Sequence, residues 1–196
     1  MEARAFSPAE IKMHDAIKNR FWLRCCLALA MAGSTLLMGC AVPFPVYAPS
    51  TKNVLALRSA PKSVQLGSFS GDQRSVSCRL QPITPDGNRS FAQYIRDALS
   101  DELVIANPPA SLKPVQLSIA LTSIEVYCGI LSASWTIELQ VSVDGRAAYA
   151  VKTVREFDGN YMAGVVLPRA YQAFIPAVQD AIAAVLGHTE VQAAMR

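Results

Sequence analysis

Trp135-Thr136-Ile137-Glu138-Leu139-Gln140-Val141-Ser142-Val143-Asp144-Gly145 is the stretch on which the fold turns. Apolar residues at 135, 137, 139, 141 and 143 alternate with polar ones, the period of a strand buried on one face. Asp144-Gly145 supplies the positive-φ pair of a type I′ hairpin turn, and Tyr149 and Val151 continue the pattern on a returning strand. Upstream, Val115, Leu117, Ile119 and Leu121 alternate in the same way, after which Ile124 and Val126 take the opposite parity. A one-residue slip would turn every later side chain to the wrong face, so the change of parity predicts a bulge or bend at Thr122-Ser123.

Outward from this sheet, residues 63–69 place Val64 and Leu66 as on a half-buried strand. Gly71-Asp72 turns the chain, and residues 74–80 predict a second short strand ending near Cys78. Pro82, Pro85 and Asp86-Gly87 then read as loop. Ser90 with Gln93 three residues on is a capping-box pair. It opens an amphipathic helix with Phe91, Ile95, Ala98, Leu99, Leu103 and Ala106 on one face, ending near Asn107-Pro108-Pro109. A last helix is predicted with Pro168 in its first turn, Tyr171, Phe174, Ile175, Val178, Ile182, Val185 and Leu186 on one face, and its end at Gly187. Pro176 should bend it over the sheet. The mostly apolar residues 161–167 fit an interaction loop or an extra strand equally well. The order of elements predicts an α+β fold: a mixed, mainly antiparallel sheet of four to five strands with two helices packed on one face.

The high hydrophobic content, 52% of residues, is concentrated near the start. Residues 25–38 form an uncharged apolar run of 14, preceded by Lys18, Arg20 and Arg24. A bilayer-spanning helix needs ~20 apolar residues, so the run matches the core of an export signal better than a membrane span. The positive flank is long, and Met13 would start it at a more ordinary length. Leu37-Met38-Gly39-Cys40 follows directly and resembles the lipobox of bacterial lipoproteins. The resemblance implies cleavage before Cys40 and acylation of that cysteine; an ordinary signal peptide or a short anchor are the alternatives. Ala41 after the cysteine, in place of the aspartate of an inner-membrane retention signal, implies the periplasmic face of the outer membrane. Pro43, Pro45 and Pro49 predict an extended segment, and ten such residues would hold a domain up to ~30 Å from the lipid. The expected organisation is signal peptide 1–39, Pro-rich tether 40–62, one domain 63–187 and a C-terminal tail 188–196.

Without residues 1–39 the formal charge falls from +3 to +1, so the basicity belongs to the export signal and does not indicate nucleic acid. Two cysteines, Cys78 and Cys128, then remain in the domain. An even remainder in an oxidising compartment predicts a disulfide, with two free thiols or an intermolecular bond as alternatives.

The segments 77–79, 91–103, 135–137 and 174–179 resemble a group of proteobacterial outer-membrane lipoproteins without an assigned activity. Among the residues that carry the likeness are Phe91, Tyr94, Ile95, Trp135, Phe174 and Pro176. In layout the chain is similar to YajG-like lipoproteins and to the α/β domain at the start of TolB and in CsgG. The likeness implies a fold and a compartment, and no active site. In that group the second cysteine lies near the final helix, where this chain has Arg169-Ala170, so Cys128 departs from the pattern.

Chemistry is sparse. The domain's single histidine, His188, follows the last helix and has no partner positioned by sequence for nucleophilic catalysis, so it reads as solvated. No clustered metal ligands, nucleotide-binding glycine motif or C-x-x-C pair occurs, and neither metal nor cofactor is expected. Asp97, Asp101 and Glu102 read as a solvated helix face, and Trp135 and Tyr171 as core rather than a ligand groove. The expectation is a non-catalytic, lipid-anchored envelope module with a protein partner, for which an exposed strand edge is one route of contact. A lipid- or lipopolysaccharide-transport accessory with an apolar groove is the alternative, and a hydrolase using His188 a distant third.

Overall fold

In the computed structural model, residues 43–108 and 113–196 are described. Residues 1–39 and Cys40 lie outside that range. The elements are helix α1 (Thr51–Ser59), strands β1 (Val64–Ser70), β2 (Val76–Cys78) and β3 (Gln81–Ile83), helix α2 (Phe91–Ala106), strands β4 (Val115–Cys128), β5 (Ser132–Val143) and β6 (Tyr149–Asp158), and helices α3 (Ala163–Gly187) and α4 (Thr189–Met195).

The main sheet has the order β1-β4-β5-β6. β1 runs parallel to β4 and the other neighbours are antiparallel, so the fold is α+β with a mixed four-stranded sheet. Alternation decides which face is covered. Ala133, Trp135, Ile137, Leu139, Val141 and Val143 are buried, against α3 on the β5–β6 side, while α2 covers β1 and β4. The residues between them, such as Ser134, Glu138 and Gln140, point to the open face. The register of β4 against β5 shifts between Leu121 and Ser123, the bulge that the parity change requires. Asp144 (φ 50°) and Gly145 (φ 71°) form the turn between β5 and β6.

Helix α2 starts with both halves of its capping box made: the Ser90 side chain accepts from Gln93 N, and the Gln93 side chain accepts from Ser90 N. It ends with Asn107 in the left-handed region.

Several expectations are corrected. Residues 74–83 are not part of the main sheet: among the described residues β2 and β3 pair only with each other, with Pro82 opposite Ser77. A two-stranded ribbon has open edges, where the missing proline N–H costs nothing. Residues 161–167 are neither loop nor strand throughout, because α3 begins at Ala163. Pro168 therefore lies in the second turn, deleting a bond to the carbonyl of Gly164 near the helix end. The tail is a folded helix, α4, whose Val191, Ala194 and Met195 are buried.

The expected tether is the largest correction. From Phe44 onward it belongs to the domain: Phe44, Val54, Leu57 and Ala60 are all buried. The prolines do keep residues 43–50 free of helix and sheet, but their apolar neighbours find a groove to fill. Phe44 enters between α2 and α3, meeting Phe91 and Tyr94 on one side and Tyr171 and Phe174 on the other, with ring centroids 5.1–6.2 Å apart. Ser50 then caps α1, and Arg58 in its last turn donates to the carbonyls of Ile105 and Ala106 at the end of α2.

Candidate docking surfaces

The buried polar chemistry centres on Glu102. It stands on the covered face of α2 and is fully buried, not on a solvated face as expected; Asp97 and Asp101 beside it are exposed. Its Oε1 accepts from Tyr47 Oη at 2.5 Å, from Ser50 N at 2.9 Å and from Asn53 Nδ2 at 3.3 Å, while Oε2 is buried without a hydrogen-bond partner. Asn53 also donates to the carbonyl of Gln179, whose own amide donates to the carbonyl of Ala48. Burial, and then the hydrogen bond to Glu102, push the Tyr47 phenol well above its ordinary range. The carboxylate is an internal clasp joining the N-terminal segment and α2, and through Asn53 it reaches α3.

His188 caps α4, its Nδ1 accepting from Glu190 N, and its ring stacks on Tyr149 with centroids 3.7 Å apart. It is half-buried in a structural role rather than solvated. The Tyr149 hydroxyl beneath it is buried without a partner, and burial followed by Glu190 pushes its pKa up to about 12. Among the described residues no group of three or more His, Cys, Asp or Glu could hold a metal ion.

Trp135 is fully buried, donates from Nε1 to the carbonyl of Ala170 at 2.8 Å, and packs against Phe91 and Phe174. Phe44 fills the neighbouring space, so the gap between the helices is occupied by the chain itself. Cys78 and Cys128 form a disulfide with Cα atoms 5.5 Å apart, tying the β2–β3 ribbon to the end of β4. A polar cleft of about 400 Å³ lies at the start of α2, lined by Ser70, Asp72, Arg74, Ser90, Gln93 and Arg96. Ser90 and Gln93 are already spent on the helix cap.

What remains open is the edge of the sheet. Among the described residues β1 pairs with β4 alone, and β6 with β5 alone. The β6 edge carries Lys152, Arg155, Glu156 and Asp158, charges of the kind that discourage strand addition. The β1 edge, Val-Gln-Leu-Gly-Ser-Phe-Ser from Val64 to Ser70, carries none. Beside it the open face is shallow and rich in hydroxyls, with Ser68, Ser70, Ser118, Gln140 and Ser142 around a depression of about 160 Å³. Gly67 lets β1 lie close to β4 there, since a Cβ would fall 2.7 Å from Ser118 Oγ.

No protein-family model and no curated protein matches the chain. Among solved structures, the crystal structure of a Xanthomonas campestris protein assigned to the DUF330 family is similar, with 13% identity and a TM-score of 0.43, over 76% of this chain and 97% of that one.

Proposed function

We propose that this chain is a non-catalytic docking module of the bacterial envelope, held by acylated Cys40 at the periplasmic face of the outer membrane, which binds an extended segment of another envelope protein along β1. The observation that carries the docking role is the β1 edge, seven residues without a charge at the side of a sheet whose other edge is charged. Main-chain pairing along such an edge supplies affinity, and alternate side chains supply specificity. The anchor reading is supported by the order of basic flank, apolar run and Leu37-Met38-Gly39-Cys40, and the compartment by the Cys78–Cys128 disulfide.

The test is photo-crosslinking in cells from single positions on each edge. Gln65 and Ser68 on β1 should give a discrete protein adduct, and Lys152 on β6 should not. Gln65→Lys with Ser68→Lys, which charges the edge at two exposed positions, should remove the adduct without changing the thermal midpoint. Adducts that are absent from β1, or that survive the two lysines, would refute the reading.

A further inference from the structure

The hairpin end of the sheet presents an apolar surface that the docking role does not use. Three loops meet there: the β2–β3 turn at Arg79-Leu80, the β4–β5 turn at residues 129–131, and the β6–α3 connection at residues 159–162. Leu80 is 97% exposed, Leu131 93%, Tyr161 70% and Ile130 64%, with Tyr127 and Met162 also exposed.

These loops are fastened to one another. The disulfide joins the first to the second; Arg79 donates from Nε to the carbonyl of Cys128 at 3.0 Å and from its guanidinium to the carbonyl of Tyr161 at 2.6 Å. Asn160 N donates to the carbonyl of Gly129, and Arg169 to that of Gly159. Gly159 approaches so closely that a Cβ would lie 2.7 Å from Gly129 O. A rigid frame thus holds apolar tips in water. Leu80 is the clearest case, because both Arg79 (φ 49°) and Leu80 (φ 66°) occupy the left-handed region, where a polar Asn or a Gly would be less strained and better solvated. Two of the three tips are free of charge, since residues 126–137 and 159–168 contain none, and the third carries Arg79, whose guanidinium is turned onto the carbonyls of Cys128 and Tyr161.

The path of the N-terminal segment indicates what covers this surface. Phe44 packs on Tyr171 and Phe174, whereas further along the segment Ala48 and Asn53 bond Gln179, so the chain runs along α3 in that helix's own direction. Phe44 therefore lies nearer the start of α3 than Ala48 does, toward the end where Met162 and the other tips lie. Only four residue steps separate Cys40 from Phe44, at most ~14 Å of extended chain.

Resting on the acylation reading above, we propose that Leu80, Ile130, Leu131, Tyr161 and Met162 insert into the surface of the same bilayer that holds the Cys40 lipid, fixing the domain upright against it. Apolar side chains at such an interface settle ~5–10 Å into the headgroup and acyl boundary. The strands then stand away from the membrane, with the Asp144-Gly145 turn at the far end, ~40 Å off by the 12-residue length of β5.

The test uses the protein expressed from its full sequence and purified from membranes in detergent, carrying Trp22→Phe so that buried Trp135 is the only background tryptophan whether or not residues 1–39 are removed. Leu131→Trp reports on the tips and Arg146→Trp on the far end. Each is reconstituted into phosphatidylethanolamine–phosphatidylglycerol vesicles with and without brominated acyl chains. Leu131→Trp emission should fall by about half or more in brominated vesicles, as at acyl-boundary depth, and Arg146→Trp emission should not change. Quenching absent at 131, or equal at 131 and 146, overturns the proposal; absence at 131 is also the outcome if the tips dock a protein instead. Intact mass of the same samples reads the anchor separately. If Cys40 proves unmodified the anchor reading fails, and quenching after simple addition of vesicles still decides whether the tips enter lipid.

Discussion

Replacing Glu102 by alanine should release the N-terminal segment from the domain. Three donors, Tyr47 Oη, Ser50 N and Asn53 Nδ2, converge on one carboxylate oxygen. Stranding a buried donor costs ~1–3 kcal/mol, and the lower half of that range applies because two of these three bonds are only part-buried. Removing the one buried Cγ methylene adds ~0.8 kcal/mol, while relief from desolvating the carboxylate offsets part of the total. The net expectation is about 2–4 kcal/mol, a large share of the ~5–15 kcal/mol of an ordinary domain. Urea unfolding followed by Trp135 fluorescence measures it, and hydrogen exchange should rise across residues 44–59 before the sheet is affected. Glu102→Gln keeps an acceptor at Oε1 and changes only the atom without a partner, so it should lose less than Glu102→Ala. An alanine variant within about 0.5 kcal/mol of wild type, or a glutamine variant worse than alanine, would refute the clasp.

Cys78→Ser with Cys128→Ser should cost ~2–4 kcal/mol, since the bond closes a loop of 50 residues, and exchange should rise first in β2 and β3; denaturant midpoints check both. Burial pushes Tyr94 and Tyr149 up to about 12 from an ordinary 10.0, and Tyr47 is raised as well. The folded state therefore keeps protons that the unfolded chain releases. This contribution is complete below pH 10 and lost as pH rises toward 12, which denaturation midpoints against pH will show. Tyr149→Phe keeps the stack on His188 and removes a hydroxyl without a partner, so at neutral pH it should be neutral or stabilising by up to about 1 kcal/mol, with a shallower alkaline slope. Gly71→Ala should destabilise by more than about 1 kcal/mol, because φ is 131° and the new Cβ would lie 2.9 Å from Leu121 Cβ; thermal melts check it.

The elements legible in sequence were those decided by neighbours along the chain. The Trp135–Val143 alternation, the Asp144-Gly145 turn, the parity change before Ile124 and the Ser90/Gln93 cap each carry their own local physics. Elements decided by a distant groove were hidden. Phe44 and Tyr47 lie among three prolines, and nothing local says that Phe91, Tyr94, Tyr171 and Phe174 leave a space for them. Glu102 was the exception with an overlooked signal: it stands four residues after Ala98 and three after Leu99, on the apolar stripe of α2, where a carboxylate must be buried and must therefore have partners. The exposed tips could not be found by periodicity, since Leu80, Leu131 and Tyr161 are distant in sequence and meet only through the disulfide and Arg79.

The clasp also changes what the proposed anchor can do. A free tether of residues 41–50 would leave the domain up to ~30 Å of reach, with the bilayer irrelevant to its orientation. With Phe44 seated and Glu102 holding the segment behind it, only four residue steps remain back to Cys40, at most ~14 Å, comparable to the radius of the domain itself. If Cys40 is acylated as proposed, so short a link would bring one face to the membrane and leave the remaining sides for a partner. Glu102→Ala would then lengthen the link as well as destabilise the fold. In vesicles it should weaken quenching of the Leu131→Trp reporter even at temperatures where the sheet is intact, and unchanged quenching would separate the clasp from the membrane contact.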